Sequence, residues 1–233
     1  VLRAQPARGL CKNAVMAQPI EIDEALVAAL IEEQFPDWSD QAVRAVPRQG
    51  WDNRTFRVGE RLSARLPSAE SYVAAVEKES RALAFLDGRL PIAVPAVEAV
   101  GQPGCGYPHQ WSVRRWLTGD TVEESADLDR VQLANDLSAA LRALRSLPTH
   151  AGLAAGWHSF YRGCHPSAYG DQVQVAVEQL SGVVDPVACR RVWLAATTSA
   201  WASGPVWFHG DVAVGNLLTT DGSLSALIDF GTC

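Results

Sequence analysis

The sequence predicts an α+β fold in two lobes, with an antiparallel-sheet first lobe and a mainly helical second lobe. Alternating apolar residues at Leu62, Ala64 and Leu66 follow a turn-forming segment, which is typical of a hairpin strand. Residues 71–87 and 128–147 instead repeat apolar residues at helical spacing. A strand-rich part followed by a helix-rich part is typical of an α+β chain.

The first lobe is predicted to contain two helices and at least four strands. One helix follows the N-cap candidate Asp23 and stops at Pro36-Asp37. Two hairpin strands precede Pro67, and the helix at 71–87 comes next. Short strands are then predicted at Val97–Val100 and Trp111–Trp116.

The second lobe is predicted to begin after a linker at Gly119-Asp120. The leucine repeat at 128–147 gives a long helix, and Asp185-Pro186 gives another helix start, since aspartate caps well and proline suits the first helical position. The chain then closes with a hairpin over 217–228. Residues 148–172 have no clear period and are assigned to no element.

These elements divide the chain into a disordered leader at 1–20, a first lobe at 21–117 and a second lobe at 118–233. The leader has no helical or strand period and no apolar stretch typical of a signal peptide. The chain stops at Cys233, directly after a motif that ordinarily opens a loop. We therefore expect the second lobe to be C-terminally truncated.

Composition excludes several classes of function. Hydrophobic residues make up 48% of the chain, enough for a packed core, yet no apolar run reaches the roughly 18 residues of a membrane span. The net charge of −6 argues against a nucleic-acid partner and mildly favours a cationic small molecule. Five scattered cysteines form no zinc or disulfide pattern, so we expect reduced thiols and a cytoplasmic protein without an obligate protein partner.

Chemistry-bearing residues are concentrated near the C-terminus. His209-Gly210-Asp211 follows a short apolar run, Asn216 comes five residues after the aspartate, and Asp229-Phe230-Gly231 ends the predicted hairpin. Each tripeptide alone is a common loop sequence. Together, with a hairpin that brings both aspartates to one mouth, they indicate a functional site.

Phosphoryl transfer explains this set of residues. The reaction needs a magnesium ion held against phosphates and an oriented hydroxyl nucleophile. Asn216 and Asp229 offer the hard oxygen ligands that Mg²⁺ prefers, and Asp211 is placed to accept or align the hydroxyl proton. His209 is expected to orient the loop by hydrogen bonding rather than to act as a base.

The motif His209-Gly210-Asp211-x4-Asn216, followed by Asp229-Phe230-Gly231, resembles the aminoglycoside phosphotransferase family, which consists of protein-kinase-like small-molecule kinases. Glycine at the second position favours this branch over protein kinases, which usually carry arginine there. The resemblance covers residues 20–233. Its upstream parts are Gly50-Trp51-Asp52-Asn53, Arg65-Leu66-Pro67, Glu77-Lys78-Glu79 and Trp111-Ser112-Val113.

The resemblance implies a two-lobed protein-kinase-like fold and a role for each matching residue. Asp211 would be the catalytic aspartate, with His209 beside it, and Asn216 and Asp229 would bind magnesium. Among nucleotide-binding residues, the loop over the ATP phosphates would contain Gly50, Trp51 and Asn53, and the adenine-binding hinge would contain Arg115, Trp116 and Leu117.

The family usually pairs a strand lysine with a helix glutamate, and Arg65 and Glu79 stand at these positions. Glu79 lies on the apolar stripe of its helix, where an unpaired carboxylate is costly, so a cation on the neighbouring strand is expected. The alternative is a solvated Arg65 with Glu79 on the helix flank. Glu77 also competes for the role, but it lies off the stripe.

Two further segments have open interpretations. The hinge could be an ordinary buried strand. Four residues could line an acceptor pocket or serve loop structure, and we favour the second: Trp157, His158, Tyr161 and His165.

The sequence thus predicts ATP- and Mg²⁺-dependent phosphate transfer to a hydroxyl of a small molecule, with an aminoglycoside or similar antibiotic as the leading acceptor. Choline, sugar-amine and homoserine kinases share the same residues and stay open as alternatives. So does a catalytically inactive nucleotide-binding fragment.

Overall fold

Two antiparallel sheets organise the protein, a computed structural model of which describes residues 21–50 and 52–233. The predicted leader at 1–20 and Trp51 lie outside the described residues. The first sheet has five strands in the order β1-β2-β3-β5-β4, and the second has three in the order β6-β7-β8. The strands of the first sheet are β1 (Val43–Ala45), β2 (Asn53–Val58), β3 (Leu62–Pro67), β4 (Val97–Gly101) and β5 (Trp111–Arg115).

Helix α1 (Glu24–Gln34) covers one face of the first sheet. Asp23 caps it as predicted, since its Oδ1 accepts from the Leu26 N–H at 2.8 Å, and the helix ends before Pro36. Leu30 and Ile31 are fully buried against the sheet, and burying each such side chain contributes about 1.5–3 kcal/mol.

Strand alternation assigns the two faces of this sheet. Ala64 and Leu66 point into the core beneath α1, as predicted, which places Arg65 on the opposite face. Helix α2 (Val73–Leu86) packs on that opposite face and follows a short 3-10 turn at Glu70–Tyr72. The predicted helix at 71–87 is therefore confirmed, except that its first turn is 3-10.

The second sheet corrects the predicted linker. Asp120–Thr121 forms strand β6, which pairs with β7 (Leu217–Thr220) so that Asp120 lies opposite Thr219. β7 and β8 (Ser223–Leu227) form the hairpin expected from the sequence. The linker prediction was wrong for Asp120, because a two-residue strand has too little sequence for a period.

Three helices complete the second lobe. Helices α3 (Arg130–Ser146) and α5 (Pro186–Thr198) confirm the predictions, including the cap at Asp185. Helix α4 (Gly170–Gln179) was not predicted, because it begins at a glycine without a side-chain cap. Residues 149–169 contain three short 3-10 turns.

The second core lies between α2, α3 and the β7–β8 hairpin. It includes Leu83 from α2, Leu144 from α3, Leu227 from β8 and Phe230. Because α2 contributes to this core and also covers the first sheet, it links the two lobes mechanically. Across the described residues, no helix has both the length and the apolar character that a bilayer span needs.

Candidate active site

Gly210 shapes the loop that carries Asp211. Its φ is +81°, a conformation that side chains other than glycine rarely adopt. A Cβ at this position would lie 2.7 Å from the Thr232 Oγ1, so any larger residue would also collide. Thr232 Oγ1 in turn donates to the carbonyl of His209 at 2.9 Å. The Asp229-Phe230-Gly231 segment is therefore packed directly against the Asp211 loop.

His209 holds the two halves of the site together. It is buried, its Nδ1 accepts from the Asp211 N–H at 3.1 Å, and its Nε2 lies 3.0 Å from the carbonyl of Ile228. Since Nδ1 is an acceptor, Nε2 carries the proton and donates to that carbonyl. Burial also lowers the pKa of His209, which favours the neutral ring. Its contacts fit the predicted loop-orienting role, because both nitrogens are engaged within the protein.

Asp211 and Asn216 lie side by side, as the sequence spacing predicted. The Asn216 Nδ2 donates to the backbone carbonyl of Asp211 at 2.9 Å and lies 3.3 Å from its Oδ2. With Nδ2 committed to Asp211, the Oδ1 of Asn216 is the atom suited to a cation. The Asp211 side chain is 39% exposed, so it can meet a substrate.

Asp229 lies at the end of the hairpin in a left-handed conformation, with φ of +65°. Such a conformation is uncommon outside glycine and is frequently found at functional sites. The Asp229 Oδ1 is 3.5 Å from the Nη2 of Arg65, across the boundary between the lobes. An arginine of the first lobe and the aspartate that ends the hairpin of the second lobe are thus brought together.

Two arginines surround Glu79 on the α2 face of the first sheet. Arg65 Nη1 lies 3.3 Å from the Glu79 Oε1, so the predicted contact is present. Arg114, which was not predicted, pairs more closely through two contacts of 2.8 and 2.9 Å. Burial alone would raise the pKa of Glu79, but the charges of Arg114 and Arg65 outweigh it and lower the pKa to about 2. Glu77, the competing residue, is exposed.

The sheet register explains how the arginines share this carboxylate. Arg65 on β3 lies opposite Ser112 on β5, and Arg114 follows two residues later on the same face. Arg114 Nε also donates to the Ser112 Oγ at 3.0 Å, which fixes its direction. Because Arg114 holds Glu79 through both oxygens, Arg65 can divide its contacts between Glu79 and Asp229.

Residues 43–233 match the sequence model of the phosphotransferase enzyme family known as APH. The chain belongs to this family. The resemblance to aminoglycoside phosphotransferases drawn from its motifs is thereby confirmed, and the protein is a kinase-type phosphotransferase. No significant match was found among curated proteins.

Solved structures of phosphotransferases have the same fold. The GDP complex of wild-type aminoglycoside 2'-phosphotransferase-IIIa superimposes with a TM-score of 0.68 at 20% identity, covering 91% of this chain and 73% of that one. ADP-bound APH(2'')-Ib gives 0.63 at 16% identity, covering 91% and 71%. Macrolide 2'-phosphotransferase MphH from Brachybacterium faecium gives 0.61 at 18% identity, covering 90% and 73%. The two-lobed kinase-like fold is therefore established.

In this member of the APH family, a buried lysine next to Glu79 adds a contact that the sequence did not suggest. The Lys78 Nζ donates to the carbonyl of Gly231 and, at 3.2 Å, to the carbonyl of His158. It also lies 3.3 Å from the His158 Nδ1, which must accept, because an ammonium only donates. Lys78 therefore ties α2 to the Asp229-Phe230-Gly231 segment and to the turn at Trp157–Ser159.

The loop predicted to cover the ATP phosphates leads into strand β2. Gly50 is exposed and its carbonyl accepts from the Arg54 Nη1 at 2.7 Å, while Asn53 begins β2 and is half-buried. Burial, and then the charge of Asp229, raise the pKa of Asp52 in this loop. Trp51 lies outside the described residues.

Two backbone N–H groups of the predicted hinge form hydrogen bonds within the protein. Arg115 N–H donates to Ala96 at 2.8 Å, and Trp116 N–H donates to Arg61 at 2.7 Å. These two donors are therefore engaged within the protein, so adenine contacts at this segment would fall to carbonyl groups and Leu117. The Arg115 side chain turns outward to pair with Glu98 at 2.9 Å.

The site contains two side chains with oxygen atoms suited to a magnesium ion, Asn216 and Asp229. Within residues 21–50 and 52–233, no cluster of three or more His, Cys, Asp or Glu side chains could hold a metal alone. Magnesium in phosphotransferases needs only one or two protein ligands, because waters and substrate phosphates supply the rest. The Asn216 Oδ1 and the Asp229 carboxylate fit that requirement.

Proposed function

We propose that the protein transfers the γ-phosphate of ATP to a hydroxyl of a small molecule, with an aminoglycoside or similar antibiotic as the acceptor. Lobe 21–117 would bind the nucleotide, and lobe 118–233 would supply the catalytic residues. The observation that carries the proposal is the half-exposed Asp211, held beside Asn216 and joined through His209 to the Asp229 loop.

In the proposed reaction, the acceptor oxygen forms a bond to the γ-phosphorus while the bond to the bridging β–γ oxygen breaks. ADP leaves with that electron pair, and the hydroxyl proton passes to Asp211. Bound at Asn216 and Asp229, magnesium would neutralise charge on the phosphates. Arg65, which lies on the first lobe, would contact a phosphate of the nucleotide, since its guanidinium already reaches Asp229.

An antibiotic acceptor is supported by charge and by family. The chain carries a net charge of −6, which favours a polycationic acceptor such as an aminoglycoside. The APH family model supplies the class of reaction. Trp157 and Tyr161 are exposed and lie in the same segment as Arg162, which contacts Asp211, so their exposure supports the acceptor-pocket alternative over the loop role favoured from the sequence.

An acceptor panel with γ-labelled ATP and magnesium tests the proposal. It contains kanamycin, gentamicin, a macrolide, choline, a sugar amine and homoserine, with GTP as a second donor. Label should move to an aminoglycoside in preference to the other acceptors. Label transfer only to choline, the sugar amine or homoserine would contradict the antibiotic assignment, and nucleotide binding without label transfer to any of them would favour the inactive fragment.

Substituting Arg65 tests its assignment to the nucleotide. We expect Arg65→Ala to raise the KM for ATP roughly tenfold or more, because a hydrogen bond to a charged group is lost. The fold should persist, since Arg114 still holds Glu79 through both oxygens. Arg65→Lys, which restores the family's usual residue, should lie near the wild type.

The matched control is Arg61→Ala, an exposed arginine that precedes β3. It should leave the KM for ATP unchanged. If Arg65→Ala behaves like Arg61→Ala in steady-state kinetics, Arg65 does not bind the nucleotide.

A further inference from the structure

We propose that Arg162 is a positioning residue of the phosphotransfer centre and holds the Asp211 carboxylate in the orientation that receives the acceptor hydroxyl. The inference rests on the proposed function. Arg162 Nη1 lies 3.3 Å from the Asp211 Oδ1, and the two side chains are 40% and 39% exposed. The pair is therefore accessible to a substrate from solvent.

The catalytic loop itself provides no cation for this purpose. Residues 209–216 have the sequence His-Gly-Asp-Val-Ala-Val-Gly-Asn, without lysine or arginine. Arg162 reaches Asp211 from a segment almost fifty residues earlier in the chain. The cation beside Asp211 is therefore placed there by tertiary packing and does not belong to the 209–216 motif.

Arg162 and Asn216 hold different oxygen atoms of the carboxylate. Arg162 contacts Oδ1, and Asn216 lies 3.3 Å from Oδ2. Two separate contacts define the plane of the carboxylate, whereas one would leave it free to rotate. Each oxygen can accept a second hydrogen bond, so capacity for the acceptor hydroxyl is preserved.

The backbone before Arg162 is strained in a way that directs its side chain. Phe160 and Tyr161 have φ of +52° and +61°, and two consecutive left-handed residues other than glycine are unusual. Ser159, buried within the turn, accepts from the Gly156 N–H at 3.2 Å and its Oγ lies 2.9 Å from the Arg162 carbonyl. Strain maintained by such contacts is characteristic of functional segments.

The segment is also fixed on both sides of Arg162, against the start of the catalytic loop and against the Asp229-Phe230-Gly231 segment. Gly163 has φ of +84°, and a Cβ there would lie 2.5 Å from the ring of Phe208, the residue before His209. On the other side, Lys78 bridges the carbonyls of His158 and Gly231. The position of Arg162 relative to Asp211 is therefore set by packing and hydrogen bonds.

Stability does not explain the arrangement. An ion pair between side chains this exposed contributes little to folding, because water screens it and both side chains lose freedom. A strained turn that supports such a pair is better explained by the orientation of Asp211. Arginine suits the role, since its planar guanidinium stays charged and holds a carboxylate oxygen in a fixed direction.

The experiment compares Arg162→Ala, Arg162→Lys and the surface control Arg190→Ala, which lies exposed on α5. Steady-state kinetics are measured with ATP and kanamycin, or with whichever acceptor of the panel turns over. We expect Arg162→Ala to lower kcat about 10- to 100-fold with an unchanged KM for ATP, since small misplacements of reacting groups have effects of this size. Arg162→Lys should recover part of the loss.

Chemical rescue separates positioning from a structural role. Guanidinium chloride at concentrations far below those that unfold proteins should raise the kcat of Arg162→Ala and leave the wild type and Arg190→Ala unchanged. In an Asp211→Asn background, Arg162→Ala should have no further effect on the residual rate. A wild-type kcat in Arg162→Ala, an increased one, or a loss that guanidinium does not restore would each overturn the proposal.

Failure of the proposed function can be distinguished from failure of the inference about Arg162. If no acceptor is phosphorylated but ATP is hydrolysed, the antibiotic assignment fails and the same comparison is made on hydrolysis, with water as the acceptor. If acceptor turnover is present and Arg162→Ala is normal, only the inference about Arg162 fails. If the wild type consumes no ATP, both fail.

Discussion

Asp211→Asn is expected to lose turnover while keeping its affinity for nucleotide. The amide cannot accept the hydroxyl proton, and it no longer attracts Arg162, which lies 3.3 Å from the carboxylate. Removing a group that handles a proton in the transition state typically costs 10²- to 10⁴-fold, so we expect kcat to fall by roughly that factor.

The fold should survive this substitution. Asparagine is isosteric with aspartate, and the backbone groups of residue 211 still bond to His209 and Asn216. Nucleotide binding measured by calorimetry should therefore match the wild type. Asp171→Asn, which neutralises an exposed carboxylate at the start of α4, is the matched control and should retain full turnover.

A normal kcat in Asp211→Asn would remove this residue from the catalytic role. A parallel loss of nucleotide binding would instead indicate that the substitution disturbs the site as a whole.

Arg114→Met is expected to destabilise the protein by about 3–5 kcal/mol, the usual result of leaving a buried charge without its main partner. Glu79 and Arg114 are both almost fully buried, with two contacts of 2.8 and 2.9 Å. Arg65 is still within 3.3 Å of Glu79, which places the expected loss toward the lower end of this range. Denaturant unfolding gives the free energy directly.

Arg115, the next residue on β5, provides a matched control for Arg114→Met. Arg115 pairs with Glu98 at the surface, so Arg115→Met should cost no more than about 1 kcal/mol. Combining Arg114→Met with Glu79→Met removes both buried charges and should recover much of the loss. Equal costs for Arg114→Met and Arg115→Met would show that the buried pair does not anchor α2 to the sheet.

The sequence predicted the proximity of the three candidate site residues, because short motifs and a local hairpin determine their positions. Asp211, Asn216 and Asp229 needed only one turn between two strands to be brought together. Arg65 could be found from the apolar stripe around Glu79, since a buried carboxylate requires a cation nearby.

Arg114 was missed for a physical reason. Strand β5 is central and four of its five residues are buried, so alternation of polar and apolar residues is lost. Arg114 and Arg115 therefore look alike in sequence, although one is buried against Glu79 and the other is exposed. Only the register with β3 distinguishes them.

Arg162 and Lys78 depend on features that no local pattern encodes. The direction of Arg162 follows from two left-handed residues, Phe160 and Tyr161, in a segment without a period. The lysine is buried by a turn and a loop from the other lobe, at His158 and Gly231. Such contacts arise only when distant parts of the chain pack together.

The most direct test of the central claim is mass-spectrometric detection of the phosphorylated acceptor after incubation with ATP and magnesium. The wild type should form a phosphate ester on an acceptor hydroxyl, with one ADP released for each ester. Asp211→Asn should form almost none under the same conditions. Absence of an ester from the wild type with every acceptor, or equal amounts from the wild type and Asp211→Asn, would contradict a phosphotransferase centre built on Asp211.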